Sequence, residues 1–331
     1  MDIAVVILNW NGKKLLEQFL PSVVEFSKEA TVYIADNAST DESIAFVKRE
    51  FPTVKIIQNE SNGGYAKGYN DALRGLSESI FVLLNNDVEV TKNWLPPMLL
   101  AFKNDDALVA AQPKILDYNN TDYFEYAGAA GGYIDSLGYP YCRGRIFDVL
   151  EKDSGQYDDT KTIFWATGAC LFVRRDAFSK IGGFDEDFFT HQEEIDLCWR
   201  LNATGGVIKY IGTSKVFHAG GSTLTSSNPN KTFYNFRNSL LLLVKNNKRL
   251  NIWWLLFMRL LLDGVAAIHF LTLGKFSHFV SILRAHISFY RLLPRFIKKR
   301  KTWASPLKYF SVKSIIWSFY ILKRRNFKQD Y

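Results

Sequence analysis

The stretch SIFVLLNNDVEV, residues 79–90, decides how this chain is read. Phe81–Leu84 is an apolar run of strand length, and it passes directly into Asn85, Asn86 and Asp87. Asn and Asp suit a turn, because their short side chains bond nearby backbone groups. A metal or phosphate site would explain them too. The stretch alone leaves both readings open.

Working outward, the same punctuation recurs. Ile3–Leu8, Thr31–Ala35, Val54–Gln58 and Ile80–Leu84 read as strands. Lys13–Ser27, Asp41–Phe51, Tyr65–Leu76 and Asn93–Lys103 read as helices, with Thr40 or Asp41 capping the second. Strands alternating with helices specify βαβ units on a parallel sheet, an α/β fold. Val109–Leu116 and Ile163–Val173 add strands, and Glu193–Ala203 adds a helix. Residues 117–161, rich in Gly, Tyr, Asp and Asn, read as an irregular insertion.

Each early strand ends in small polar residues: NWNG (9–12), DNAST (36–40), NESNGG (59–64) and NND (85–87). Turn chemistry accounts for any one of them. Four on one edge point to a site, because ligands of open parallel sheets bind at the carboxyl ends of the strands. No GxGxxG follows the first strand, and the Walker lysine pattern is absent. NGGYAKGYN (62–70) opens a helix behind a glycine pair, where free backbone N–H groups favour phosphate; a plain turn looks the same. Asp36 either caps its own loop or accepts from a nucleotide base or ribose.

HQEEIDLCWRL (191–201) sets Glu193, Glu194 and Asp196 at a helix start, where negative charge is favoured in any case. His218 follows the strand-like KYIGTSKVF, and a lone histidine is commonly structural. WATGACLFVRRDAF (165–178) reads as a core strand with small residues at its centre.

VVILNWNG, IADNASTD, NGGYAKGYNDAL, LLNNDVEV, GACLFVRRDAFSKIGGFDEDFF and EEIDLCWRL occur in the order and approximate spacing of the inverting family-2 glycosyltransferases. The resemblance spans about residues 3–220 and is nearest to rhamnosyltransferase-like bacterial members. It implies a GT-A fold with a mostly parallel central sheet. It also implies transfer of a sugar from a nucleotide-sugar donor, dTDP-rhamnose or a UDP-hexose, to a lipid-linked or membrane-proximal glycan acceptor. Carried over by position, Asp36 contacts the base, Asn9 and Asn11 lie beside the nucleoside, and Asn62, Gly63 and Gly64 border the nucleotide pocket. Asn86 and Asp87 fall in the family's DxD motif, Asp87 binding Mg²⁺ or Mn²⁺ with His218. Asn85 stands where the first Asp is common. Glu194 takes the position of the catalytic base, with Glu193 its rival. Trp165, Gly168 and His191 fall toward sugar or acceptor. The QxxRW motif of processive synthases is absent, which favours transfer of a single sugar. A non-catalytic nucleotide-sugar-binding scaffold of the same fold is the alternative.

Composition divides the chain. Residues 1–230 carry 21 Lys/Arg against 31 Asp/Glu, whereas residues 231–331 carry 20 against 2. The reading is therefore a catalytic domain over 1–230, with a nucleotide half (1–104) and an acceptor half (105–230). A basic, helical membrane-association region follows over 231–331. Three scattered cysteines fit a reducing compartment, and MDIAVVILNWNG reads as a first strand, not a signal peptide. Ile252–Leu273 is long enough to span a bilayer but contains Arg259, Asp263 and His269. A single crossing would also place RFIKKRK (295–301) on the far side, against the positive-inside rule. An in-plane helix fits better: Arg284, Arg291, Arg295 and Lys298 share one side and Ile282, Phe289, Leu293 and Phe296 the other. The expected partner is an anionic membrane surface at the cytoplasmic face. Nucleic acid is excluded by the tail's apolar load, and the oligomeric state is left open.

Overall fold

In the computed structural model, which describes residues 1–220, 228–249, 251–300 and 308–327, the early apolar runs are neighbouring parallel strands. β1 (Ile3–Asn9), β2 (Thr31–Asp36), β3 (Lys55–Gln58) and β4 (Ile80–Asn85) alternate with helices α1 (Lys13–Phe26), α2 (Ser43–Glu50), α3 (Gly64–Leu73) and α4 (Leu95–Asn104). Val5, Val6, Ile34, Val82 and Leu83 are fully buried. Covering both faces of the strands is what lets them be continuously apolar.

The sheet extends through β5 (Val88–Val90) and β6 (Leu108–Asp117). A small four-stranded sheet follows, made of β7 (Gly132–Ile134), β8 (Pro140–Cys142), β9 (Arg145–Ile146) and β10 (Val149–Leu150). β11 (Thr160–Thr162), β12 (Cys170–Arg174) and β13 (Val207–His218) then return to the main sheet, with α5 (Arg175–Lys180) and α6 (Glu193–Ala203) between the last two strands. The main order is β11-β13-β6-β12-β4-β1-β2-β3, with β5 paired to β13. β12 runs antiparallel to both neighbours, whereas β13 is parallel to β6. The expected strand at Ile163–Val173 begins only at Cys170. Upstream of it, Trp165 bridges to Gly132, and the Thr167 amide donates to the Gln112 side chain (2.9 Å), so the sheet ladder cannot form there.

The C-terminal region starts with α7 (Pro229–Asn246), where Asn228 caps the Asn230 amide and Pro229 occupies the first turn. α8 (Ile252–Thr272) and α9 (Phe276–Lys298) follow. Leu240, Leu241, Leu242 and Leu243 of α7 are fully buried in the same core as the sheet. Truncating one such leucine to alanine costs about 2–5 kcal/mol. Here the in-plane reading of α9 is corrected. Ile282, Phe289 and Phe296, expected to meet lipid, are buried inside the protein, and α9 packs along α7.

Candidate active site

Register brings the polar strand ends together. Asn9 pairs with Asp36 across β1–β2, and Leu8 pairs with Asn85 across β1–β4. Asp36 is fully buried, and its carboxylate accepts from Asn9 Nδ2 (3.1 Å), Ser39 N (2.9 Å), Ser39 Oγ (2.5 Å) and Gln58 Nε2 (2.8 Å). Four donors fill the lone pairs of a carboxylate. The expectation that Asp36 is open to a base is therefore revised: as folded, it organises the loop. Asn9 Oδ1 accepts from Asn86 Nδ2 (3.2 Å), and a Cβ at Gly12 would lie within 2.5 Å of both Asn9 and Asn86 atoms. Asn11, with φ 49°, accepts from the Thr40 amide (2.7 Å) and pins the next loop.

At α3, Asn62 Oδ1 accepts from the Gly64 amide (3.0 Å). The Tyr65 and Ala66 amides donate to the Phe189 carbonyl (3.0 and 3.4 Å). These N–H groups, expected to face a phosphate, are thus satisfied by the protein. Gly64 has φ +75°, and a Cβ on it would strike the Phe189 ring and carbonyl.

Past Asn85 the chain turns into β5, which pairs with β13 so that Val88 faces His218. The Ala219 amide donates to the Asp87 carbonyl (3.0 Å). His218 Nε2 lies 3.1 Å from Asp87 Oδ1 and 3.4 Å from Asn85 Nδ2. Its Nδ1 faces Glu125 Oε2 at 3.4 Å. Burial alone would push the imidazole down. The Glu125 charge, with bonds to Asp87 and Glu125, outweighs it and holds the ring up at about 10. Sequence reasoning missed Glu125, which lies in the irregular insertion with nothing to flag it.

Residues 188–192 form a strained approach to α6. Phe189, His191 and Gln192 all have positive φ (64°, 65° and 72°), which costs of order 1–3 kcal/mol per residue. Buried Asn238 of α7 compensates, its Nδ2 lying 3.0, 2.9 and 2.7 Å from the carbonyls of Phe188, Thr190 and His191. Four consecutive residues then present a buried polar atom with no partner among the described residues: His191 Nε2, Gln192 Oε1, Glu193 Oε2 and Glu194 Oε2. Native interiors satisfy such atoms, so a run of orphans marks a place for ligand or water. Burial, then the Glu194 charge, pushes Glu193 well above the usual carboxylate range. Burial raises Glu194 to about 7, with backbone amides at the helix start opposing. His191, lowered to about 4 by burial and then Lys231, is neutral. Asp196 is locked by Arg200 Nε (2.8 Å), Lys245 (2.8 Å) and Asn246 (2.7 Å).

Tyr65 sits beside the acidic pair, its hydroxyl donating to the Gly168 carbonyl (2.8 Å); a Cβ at Gly168 would crowd that hydroxyl. Trp165 is not brought out as a sugar platform. It is 4% exposed, its indole N–H donates to the Tyr133 carbonyl (2.9 Å), and its ring covers Gly132. A separate cavity of about 380 Å³ lies between residues 181–187 and helices α7 and α9. Its charged walls (Asp185, Asp187, Lys245, Lys299) pair with one another, so it is a structural seam.

A sequence model of glycosyl transferase family 2 matches residues 4–182, more than half of the chain. The chain belongs to glycosyl transferase family 2. This glycosyltransferase is 25% identical over 231 residues to the N-acetylglucosaminyl-diphospho-decaprenol L-rhamnosyltransferase of Mycobacterium tuberculosis, covering 65% of this chain and 75% of that one. It is 23% identical over 203 residues to the low-salt glycan biosynthesis hexosyltransferase Agl10 of Haloferax volcanii, covering 60% and 61%. Among solved structures it superposes on GalNAc-T7 with UDP, GalNAc and Mn²⁺ (TM-score 0.59, 18% identity, 75% of this chain, 48% of that one). It also superposes on the Pyrobaculum calidifontis mannosyltransferase PcManGT with GDP-Man and Mn²⁺ (TM-score 0.52, 14% identity, 90% and 83%). The fold is GT-A.

The glycosyltransferase's own residues fit a divalent ion. Donors in adjacent positions, each about 2.1 Å from an octahedral ion, stand roughly 3 Å apart. Asp87 Oδ1 and His218 Nε2 have that separation, so an ion there would displace the Nε2 proton, and the Glu125 charge, 3.4 Å from the opposite ring nitrogen, is placed to support the imidazole. Among the described residues no group of three His, Cys, Asp or Glu converges as a cage. Asp87 and His218 would supply two donors, and a diphosphate would have to supply further oxygens.

Proposed function

We propose that this glycosyltransferase moves a single sugar from a nucleotide sugar to a glycan or lipid-linked acceptor, with inversion, in the synthesis of a cell-surface glycan. A dTDP- or UDP-linked hexose is the leading donor, and the mycobacterial relative's name supports a diphospho-lipid acceptor. The observation that carries the reading is the orphaned run His191–Glu194, whose two adjacent buried glutamates are both raised, so that one holds a proton while the other is free to ionise. Glu194 takes the proton of the acceptor hydroxyl as that oxygen bonds to the anomeric carbon. The bond from the anomeric carbon to phosphate breaks on the opposite side, and the nucleoside diphosphate leaves with the electron pair. Asp87 and His218 would hold a divalent cation, Mg²⁺ or Mn²⁺, which when bound would neutralise charge on the leaving diphosphate. Asp36, Asn9, Asn11 and Asn86 shape the nucleoside pocket, with Asn62–Gly64 at its border. Gly168 and His191 lie on the sugar and acceptor side.

The helical region belongs on a membrane surface. α8 is long and apolar enough to cross one, with mean hydropathy 1.7. Its two charged residues face inward, however, while His269 is exposed. Arg259 donates to the Leu137 carbonyl (2.8 Å) and Ser239 Oγ (2.9 Å), and Asp263 meets His286 Nε2 (3.2 Å). Trp253, Trp254, Phe257, Leu261, Val265 and Ile268 are left exposed along the outer side. A helix bound to the body at its midpoint lies on the bilayer instead of crossing it. The reading is a monotopic enzyme at the cytoplasmic face, with residues 231–331 as both membrane contact and support for the active-site loop.

The test is transfer by Glu194→Gln with Mn²⁺ and a panel of nucleotide sugars. The expected result is a loss of at least about 100-fold, with nucleotide binding retained. Transfer near the wild-type rate would remove Glu194 as the base.

A further inference from the structure

Two cations that flank the site form no ion pair among the described residues. Among the described residues, Arg145 of β9, 7% exposed, donates only to the Phe147 carbonyl (3.2 Å) and Cys142 Sγ (3.5 Å), and its Nε is buried without a partner. Lys231, in the first turn of α7, makes no salt bridge among the described residues, and neither does Arg145. A buried guanidinium lacking a paired carboxylate is costly, and an arriving anion would relieve that cost. Both cations lie against one ring: Arg145 is 4.3 Å and Lys231 5.4 Å from the Tyr126 centroid. Tyr126 is 49% exposed, so the pair opens to solvent.

The shelf adjoins the reaction site on two sides. Tyr126 follows Glu125, the carboxylate behind His218. His191, with its orphaned Nε2, feels the Lys231 charge. Glu125 is the negative group nearest in effect to Lys231, but its Oε2 is already engaged by the Ala127 amide and His218. His218 offsets one of the Asp87 and Glu125 charges and a divalent ion both, and Glu125 also attracts Arg145 and Lys231, so Arg145 and Lys231 leave the shelf net positive in either state.

We propose that Arg145 and Lys231, held on the Tyr126 ring, seat a diphosphate group. A guanidinium matches phosphate oxygens with a fork of donors, and an ammonium adds a point charge. Stacking on an aromatic face fixes both without consuming their positive charge. The inference rests on the sugar-transfer reading above, in which two diphosphates come near this site: that of the donor and that of a lipid-diphosphate acceptor.

The experiment is calorimetric titration of the full chain and of Lys231→Gln, Lys231→Arg and Arg145→Gln. The probes are UDP, dTDP and GDP with Mn²⁺, and farnesyl diphosphate, with UMP and farnesyl monophosphate as controls. Lys231→Gln is expected to weaken a diphosphate probe by about tenfold or more, sparing the monophosphates, and Lys231→Arg to restore binding. A loss confined to the nucleotides assigns the seat to the donor; a loss confined to farnesyl diphosphate assigns it to the acceptor. Unchanged affinity for every diphosphate, equal loss for the monophosphates, or a wild-type chain that binds no diphosphate overturns the proposal. Lys231 is partly exposed, so its variants carry the test if Arg145→Gln does not fold. The titrations need no turnover, so their outcome is separate from that of Glu194→Gln.

Discussion

At Asn85 an amide faces the Asp87–His218 pair, with Nδ2 3.4 Å from the ring nitrogen that also meets Asp87. An amide nitrogen does not bind Mg²⁺ or Mn²⁺, whereas a carboxylate oxygen at the same place would. Asn85→Asp is therefore expected to raise Mn²⁺ affinity in the absence of nucleotide by about tenfold or more, read by titration of the free protein. No gain would mean that residue 85 does not reach the ion. Glu194 gives a second expectation at this scale. A general base works deprotonated, and burial raises this carboxyl to about 7. Turnover with saturating donor should climb about tenfold per pH unit below that value and level off above it. A profile flat from pH 5 to 8 would contradict the assignment.

The loop before α6 is held by helices that come later in the chain. Asp185 lies between Lys245 Nζ (2.7 Å) and Lys299 Nζ (2.5 Å), and Asp187 between Lys299 (2.6 Å) and Arg295 (2.6 Å). Burial alone would raise Asp185; the two lysines outweigh it and hold the carboxyl at about 2. A depressed carboxyl stabilises the fold above its unfolded value of about 3.8, and that contribution is lost as pH falls toward 2. The shift corresponds to about 2 kcal/mol. Asp185→Asn should destabilise by about 3 kcal/mol near pH 7, since it leaves Lys245 and Lys299 short of a partner. The gap from wild type, measured by denaturant unfolding, should narrow as pH falls from 4 to 2. A gap independent of pH would show that the ion network does not tie the loop down.

Across the whole molecule, polarity is sorted by face. α8 turns Arg259 and Asp263 inward and a run of aromatic and aliphatic side chains outward, and Leu283, Ile287 and Tyr290 of α9 are exposed as well. An apolar outer surface on a strongly basic region suits an anionic bilayer. Replacing Trp253, Trp254 and Phe257 together by serine should reduce sedimentation with anionic vesicles by at least about tenfold. Thermal stability should stay unchanged, because all three are 49% or more exposed. Undiminished vesicle binding would move the membrane contact elsewhere.

The parallel strands and polar edge were legible because apolar runs and turn residues follow local backbone rules. Asp87 and His218 could be paired in advance only through the family resemblance, and the β5–β13 register then brings their side chains within 3.1 Å. Nothing in the sequence tied Glu125, Arg145, Lys231 and Asn238 to the crevice, because they reach it from an irregular insertion, a small second sheet and a C-terminal helix. The amphipathic pattern of α9 was read correctly as a pattern, yet its apolar side is covered by protein. Periodicity reports that a face must leave water. Which surface covers it depends on contacts between segments far apart in the chain, and only the tertiary structure decides that.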